Sequence, residues 1–513
     1  MKSLFKAVAL ITVFSVLTRA LGFFFRIYLS RVLGAEALGL YQVSMSVFGV
    51  LLTVVSSGLP LVISKLYAGL NAKGQKKEEH SMVTTALIIG LISSIILCTV
   101  VFIFNKVFSL LFTDDRCMLI LIIMLPAVIF SSVYSTFRGA LWGHSNFFAV
   151  CVAELFEQVV RIIICVIIVA GATTVMQSAM SAAASMTIAC LLSAVFVVIL
   201  YFVYGGRLKK PKNFTKTLLK SSIPITGVRI ASSLIQPIIA IIVPLRLVAA
   251  GYTSAQALSI YGIAMGMTLP FIFIPSALTG SLSMALVPDL SSAVVKQETD
   301  HIKNRITSSI VFTIFVSIFF IPLYMGAGEN IGIFFYDNAT SGALLASAAW
   351  IMLPLGLTNI SSSILNALGL EMKSLKNYVL GSILMLLSIW FLPKYIGVRA
   401  IIVGMGVCMT LASILNIRMI SKATKCKLNI LKPMVKALLC CIPVAALVSF
   451  FTGILNNFMP LFFNLAISCS VGAVFFVLLC TVFGLINIST CFIEIKKKFK
   501  FKKPHKKKKI KQT

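Results

Sequence analysis

Thr18-Arg19-Ala20-Leu21-Gly22-Phe23-Phe24-Phe25-Arg26 lies inside an apolar run from Ala7 to Leu33. A run of that length predicts a membrane-crossing helix, and a charge within one is costly and marks function more often than packing. On a helix Arg19 and Arg26 fall seven residues apart and share one stripe, with Gly22 between them. Counted from Ala7 at about 1.5 Å per residue, Arg19 sits about 18 Å into a core about 30 Å thick. Snorkelling carries Arg26 and Arg31 to the headgroups, but Arg19 is too deep for it. Its helix offers no carboxylate, so Arg19 requires a neighbouring helix, water or an anionic ligand.

The rest of the chain repeats the theme. Of 513 residues 59% are hydrophobic and 12% charged, with mean hydropathy +1.03. In lipid only helices or closed barrels satisfy their own backbone, and long apolar runs specify helices. The chain therefore reads as an all-α integral membrane protein. Lys2, Lys6 and the apolar stretch to Leu17 imitate a secretory leader. Arg19 and Arg26 stand where a small-residue cleavage site belongs, so the segment reads as a retained first span.

Apolar runs predict about fourteen transmembrane helices: 7–33, 41–68, 81–105, 117–141, 147–171, 178–204, 217–247, 256–288, 306–326, 341–366, 376–392, 398–420, 434–455 and 461–487. Lysine and arginine crowd alternate connections, among them Lys73/Lys76/Lys77, Arg207/Lys209/Lys210 and Lys422/Lys425/Lys427. Glu36, Asp114, Asp115, Glu329 and Asp337 occupy the opposite ones. By the positive-inside rule both termini are cytoplasmic. The basic connection 205–216 splits twelve spans into six and six: a lobe over 1–204, a lobe over 217–426, then a terminal pair over 433–487. Leu218-Leu219-Lys220 through Ile225-Thr226 echoes Leu4-Phe5-Lys6 through Ile11-Thr12, in keeping with two similar halves. Pro224, Pro237, Pro244, Pro270 and Pro275 predict kinks in the seventh and eighth spans.

The net charge of +31 comes in part from a polybasic tail, 494–513. After a final span such a tail suits anionic membrane lipid and not nucleic acid. Twelve cysteines are scattered without Cys-x-x-Cys or Cys/His clusters, so they read as small buried hydrophobes and not as metal ligands or disulfides.

A second charged constellation lies in the fifth span. Glu154, Glu157 and Arg161 fall at i, i+3, i+7 on one face, and Glu157–Arg161 is an i,i+4 pair that can neutralise itself. Glu154 is left to pair with Arg19 or Arg138, or to titrate. The seventh span adds Arg229, about 18 Å deep from Thr217, and Gln236 two turns on. Three deep arginines against few acids predict a cavity, reached by Arg19, Arg26, Arg229 and Gln236, that favours an anionic group. Phosphate or pyrophosphate fits the guanidinium fork. Catalytic signatures are missing: Gly69 to Gly74 has phosphate-loop spacing but Gln75 follows where lysine is required, and there is no His-Glu-x-x-His. No cofactor is implied.

Thr18-Arg19-Ala20-Leu21-Gly22-Phe23, then Leu29-Ser30-Arg31-Val32-Leu33-Gly34-Ala35, Gly39-Leu40-Tyr41-Gln42, Arg138-Gly139-x-x-x-Gly143 and Glu157-Gln158-Val159-Val160-Arg161 resemble blocks of the polysaccharide-exporter branch of the multidrug/oligosaccharidyl-lipid/polysaccharide flippase superfamily. The resemblance implies two six-helix lobes plus a terminal pair. It implies an ion- or proton-driven flippase, and no enzyme, in a bacterial cell membrane; the sequence does not give the oligomeric state, and a monomer is the expectation. The cargo would be undecaprenyl-pyrophosphate-linked peptidoglycan precursor or polysaccharide units, moved by alternating access for spore-cortex or cell-wall synthesis. In the related lipid II flippases first-span arginines contact the headgroup; Arg19 matches the first of these, while Arg26 lies one residue further along than the pattern. Two alternatives stand beside this reading: a multidrug extruder of the same superfamily, whose organic cations would want a more acidic cavity, and a membrane glycosyl- or phosphotransferase, for which the sequence offers only Asp114-Asp115.

Overall fold

A computed structural model describes residues 2–211, 214–425 and 430–484, and the polybasic tail lies outside the described residues. Every regular element among them is helical. In chain order they are α1 Lys2–Ser56, α2 Leu59–Ala72, α3 Lys76–Ile103, α4 Asn105–Ser109, α5 Arg116–Gly143, α6 Phe147–Val169, α7 Val175–Val203, α8 Thr215–Ser233, α9 Ile235–Ala249, α10 Ser254–Gly262, α11 Leu269–Ile272, α12 Ile274–Val295, α13 Thr299–Tyr336, α14 Ala339–Ala348, α15 Met352–Ala367, α16 Glu371–Phe391, α17 Pro393–Ile396, α18 Arg399–Thr424, α19 Leu431–Leu455 and α20 Leu461–Val482.

Twelve helical stretches among the described residues are long and apolar enough to cross a membrane. They differ from the sequence-based spans in instructive ways. The first two predicted spans run together as one helical stretch, broken at Gly34, whose φ of 71° is open to glycine at little cost. That stretch ends at Ser56 because Pro60, four residues on, has no N–H to give its carbonyl. The same rule separates α8 from α9: Pro237 cannot bond to Ser233, and the helix stops there. In the eighth span a π-turn over Ile263–Thr268 precedes Pro270, and the chain breaks again at Phe273 before Pro275. α6 is not among the twelve, since Glu154, Glu157 and Arg161 all fall within its 23 residues.

The chain divides into two compact units, each discontinuous in sequence. The first comprises Met1–Phe271, Phe335–Leu344 and Val379–Cys408. Its core gathers Val62, Ile63, Met82, Phe137, Leu141, Val150 and Leu218. In lipid, where tails are as apolar as leucine, helices associate by close packing. Small residues supply it here. A Cβ on Gly39 would lie 1.9 Å from the Leu258 carbonyl oxygen, and one on Gly262 would lie 2.3 Å from that of Ala35, so α1 and α10 touch backbone to backbone. Gly139 and Gly143 do the same for α5 against Pro60 and Ser64 of α2, at 2.7 Å each. Arg31 donates from Nε to the Phe335 carbonyl at 2.6 Å. Arg116 bridges Glu36 and Asp114, joining α1 to the start of α5.

The basic connection after α7 is lashed to the start of α3. Ser81 Oγ donates to the Lys210 carbonyl at 2.7 Å, the Lys209 N–H donates to Thr84 Oγ1, and the Arg207 N–H reaches Nδ1 of the buried His80.

The second unit comprises Ile272–Phe334, Leu345–Tyr378 and Met409–Thr513. A buried amide network crosses it: Asn377 Nδ2 donates to Asn416 Oδ1 at 2.9 Å, and Asn416 Nδ2 donates to Ser361 and Ser362 at 3.2 Å. Gly326 lets α13 meet the Ala445 backbone, and Gly472 lets α20 meet Val448. The described cysteines are unpaired, and all but Cys469 are buried.

Candidate functional site

The charged residues singled out in the sequence lie in the first unit. The Arg19–Gly22–Arg26 stripe of α1 runs beside α6. A Cβ on Gly22 would stand 3.6 Å from the Gln158 amide nitrogen, so the glycine leaves that face open to the charged helix. Phe23 fixes the rotation of α1, meeting Phe271 edge-on at 5.4 Å, and Phe271 in turn packs on Phe335 and Tyr336.

On α6 the two glutamates are committed differently. Glu157 accepts from Arg161 one turn along the same helix, side chains 26% and 21% exposed. Glu154 accepts from Arg138 on α5, at 35% and 39% exposure. Of the partners open to Glu154 in the sequence, Arg138 holds it and Arg19 does not. The first pair is internal to one helix and survives any rigid movement of α6. The second spans two helices, is wetter, and breaks whenever α5 and α6 shift.

Around these pairs sit polar atoms with no partner. Nε of Arg138, Nε of Arg161 and the Tyr134 hydroxyl are all buried without a hydrogen bond. Tyr134 lies one turn before Arg138 on α5, within electrostatic reach of Glu157, Arg138 and Glu154, but its contact with Glu157 falls short of hydrogen-bonding geometry. Tyr41 lies within reach of both Arg161 and Arg26. The sequence reading passed over Tyr134 and quoted Tyr41 only within a block of the resemblance; the one signal for Tyr134 is its i−4 spacing from Arg138. Each of these buried donors calls for an acceptor, such as water or an oxyanion.

Arg19, Arg26, Arg229 and Gln236 are exposed. Among the described residues none of the three arginines pairs with a carboxylate. No hydrogen bond joins them to one another. Arg229 lies on α8 and Gln236 beyond the Pro237 break on α9. No group of three or more His, Cys, Asp or Glu among the described residues could hold a metal ion.

Residues 4–294 match the model of a family described as polysaccharide biosynthesis protein. The chain is 25% identical over 433 residues to stage V sporulation protein B of Bacillus subtilis (strain 168), covering 80% of this chain and 82% of that protein. It is 22% identical over 169 residues to the lipid II flippase MurJ of the same organism, 31% of each chain. Among solved structures it is similar to a lipid II flippase MurJ in an inward closed conformation, with TM-score 0.68, 15% identity, and coverage of 93% of this chain and 98% of that one. It is also similar to an inward-facing multidrug resistance MATE family transporter of the MOP superfamily, with TM-score 0.65, 14% identity, and coverage of 80% and 96%. These likenesses show the fold. The family match spans more than half of the sequence, and with it the chain belongs to the polysaccharide biosynthesis protein family.

Proposed function

We propose that the chain is a flippase for a lipid-linked anionic glycan: an undecaprenyl-pyrophosphate-linked peptidoglycan precursor or polysaccharide unit, moved across a bacterial cell membrane by alternating access. The observation that carries the reading is the stripe of exposed, carboxylate-free arginines on α1, in a helix apolar enough to lie in lipid. An unpaired guanidinium there favours an anion and repels a cation. A cation extruder of the same superfamily is disfavoured because both α6 glutamates already hold arginines. Similarity to stage V sporulation protein B and to the lipid II flippase supports a cell-wall or spore-cortex setting.

In this reading α1 counts as two spans joined at Gly34 and α6 as a further one, giving fourteen helices with both termini cytoplasmic. They form six-helix lobes over 1–204 and 217–426 and a terminal pair from 433 to 487. Arg19, Arg26, Arg229 and Gln236 hold the headgroup, and Glu154, with Glu157 and Arg161 behind it, couples transport to a proton. The test is reconstitution in liposomes with fluorescent lipid II and, separately, an organic cation. Flipping of the first and indifference to the second is expected; the reverse overturns the reading.

A further inference from the structure

The turn after α9 and the turn around α17 meet in the first unit and wall an open cavity of about 210 Å³. Gly251, Tyr252, Lys394, Tyr395 and Gly397 line it. Both walls are preformed. Gly251, at φ 102°, stops α9: its N–H bonds to Val248 and that of Tyr252 to Leu247. Thr253 then starts α10 through a reciprocal capping box with Gln256, so Tyr252 is held between two fixed ends. On the other side Gly397 closes α17 by bonding to the Pro393 carbonyl. Arg246, one turn before Ala250, clamps the two walls: its Nε donates to the Trp390 carbonyl at 2.8 Å and its guanidinium stacks 4.6 Å over the Trp390 ring.

The charge here is of one sign. Lys394 lines the cavity, and the exposed Arg399 stands two residues beyond Gly397. Neither pairs with a carboxylate among the described residues. The sequence holds no acid between Glu157 and Asp289, nor between Glu371 and Glu494. The volume is below the roughly 300 Å³ of sites that enclose a drug-sized ligand, so the occupant is a fragment of a molecule. Lysine as a point charge and two exposed tyrosine rings suit an oxyanion attached to a polyol or sugar, and Arg399, two residues beyond the lining Gly397, adds positive charge close by in the chain.

We propose that this cavity is a phosphate-binding subsite, taking a phosphate or pyrophosphate group that carries a glycerol or sugar. Its place on the extracytoplasmic face rests on the orientation proposed above; its chemistry does not. Two sources share that chemistry, an anionic phospholipid headgroup and the headgroup of a lipid-linked glycan.

The test uses the full chain in zwitterionic detergent, carrying Arg19→Gln/Arg26→Gln/Arg229→Gln throughout so that the arginines proposed above do not contribute, titrated calorimetrically with inorganic pyrophosphate. Retention of phosphatidylglycerol over phosphatidylcholine is read in parallel by native mass spectrometry. Lys394→Gln/Arg399→Gln is expected to weaken pyrophosphate binding at least fivefold. The charge-matched control Lys73→Gln/Lys76→Gln, whose residues are exposed at the start of α3 and just before it, should change binding less than twofold. Tyr395→Ala, which keeps the charge, should lower phosphatidylglycerol retention and leave pyrophosphate binding intact if a phospholipid is the occupant. It should leave both intact if the glycan carrier is. Equal loss in the two double variants, or no loss in either, overturns the proposal and leaves an interfacial belt of tyrosine and lysine. None of these readouts involves transport, so failure of the flippase reading would not be mistaken for failure of this one.

Discussion

Replacing Glu157 with glutamine keeps its volume and removes its charge. Arg161 then faces a neutral amide with its Nε already unpartnered and about four-fifths of its side chain buried. Removing one partner of a fully buried pair costs about 3–5 kcal/mol; at this exposure water takes up part of that, leaving about 2 kcal/mol. Glu154→Gln removes a pair more than a third exposed on each side, for which about 1 kcal/mol or less is expected. In a thermal melt of purified protein Glu157→Gln should fall several degrees below wild type and Glu154→Gln within about two. Glu157→Gln/Arg161→Gln should regain most of the loss, because neither charge is then orphaned. Flipping assays should show the opposite ranking, with Glu154→Gln flattening the pH dependence of transport and Glu157→Gln retaining it per folded molecule. Equal melting temperatures for the two single variants, or a double variant less stable than Glu157→Gln, would refute the assignment of a structural pair and a working pair.

Arg19→Gln should leave the melting temperature unchanged, since no carboxylate loses a partner, while lowering lipid II flipping about tenfold or more in reconstituted liposomes. Gly39→Ala should cost several kcal/mol and sharply reduce folded yield, because its Cβ would lie 1.9 Å from the Leu258 oxygen, whereas Gly49→Ala, with open space around it, should be tolerated. At Asp114 burial raises the carboxyl, but the hydrogen bonds and charge of Arg116 more than offset it and hold it below the ordinary value. A depressed carboxyl stabilises the fold above the unfolded value of about 3.9 and loses that contribution as pH falls through the folded value. The melting-temperature gap between wild type and Asp114→Asn should therefore be full at neutral pH and close below about pH 4.

The helices were legible from apolar runs because lipid leaves no other way to satisfy the backbone, and Pro237 announced the break at Ser233; the break at Ser56 before Pro60 falls inside the predicted span 41–68 and was missed. The break at Gly34 falls where the first predicted span ends, but the predicted connection up to residue 40 is helical and the chain turns at that one glycine, whose φ is positive. Glu157–Arg161 was readable because i,i+4 is a property of one helix. Glu154–Arg138 stood only as one of two candidate pairs: it joins two helices sixteen residues apart through a turn, and periodicity does not say which faces meet. The same limit hid Tyr134 and the meeting of the 248–253 and 393–397 turns.

The two pairs on α6 also differ in what a proton would do to them. Neutralising Glu157 would orphan a mostly buried arginine inside one helix. In the proposed cycle, protonating Glu154 would release Arg138, whose Nε is already without an acceptor, and add one positive charge beside the Tyr134 hydroxyl. A proton on Glu154 would then raise the affinity of Arg138 for an oxyanion, and by linkage the oxyanion would raise the affinity of Glu154 for its proton. Neutralising the α6 acid and offering the α5 arginine become a single event, and a shift of α5 against α6 is enough to reverse it.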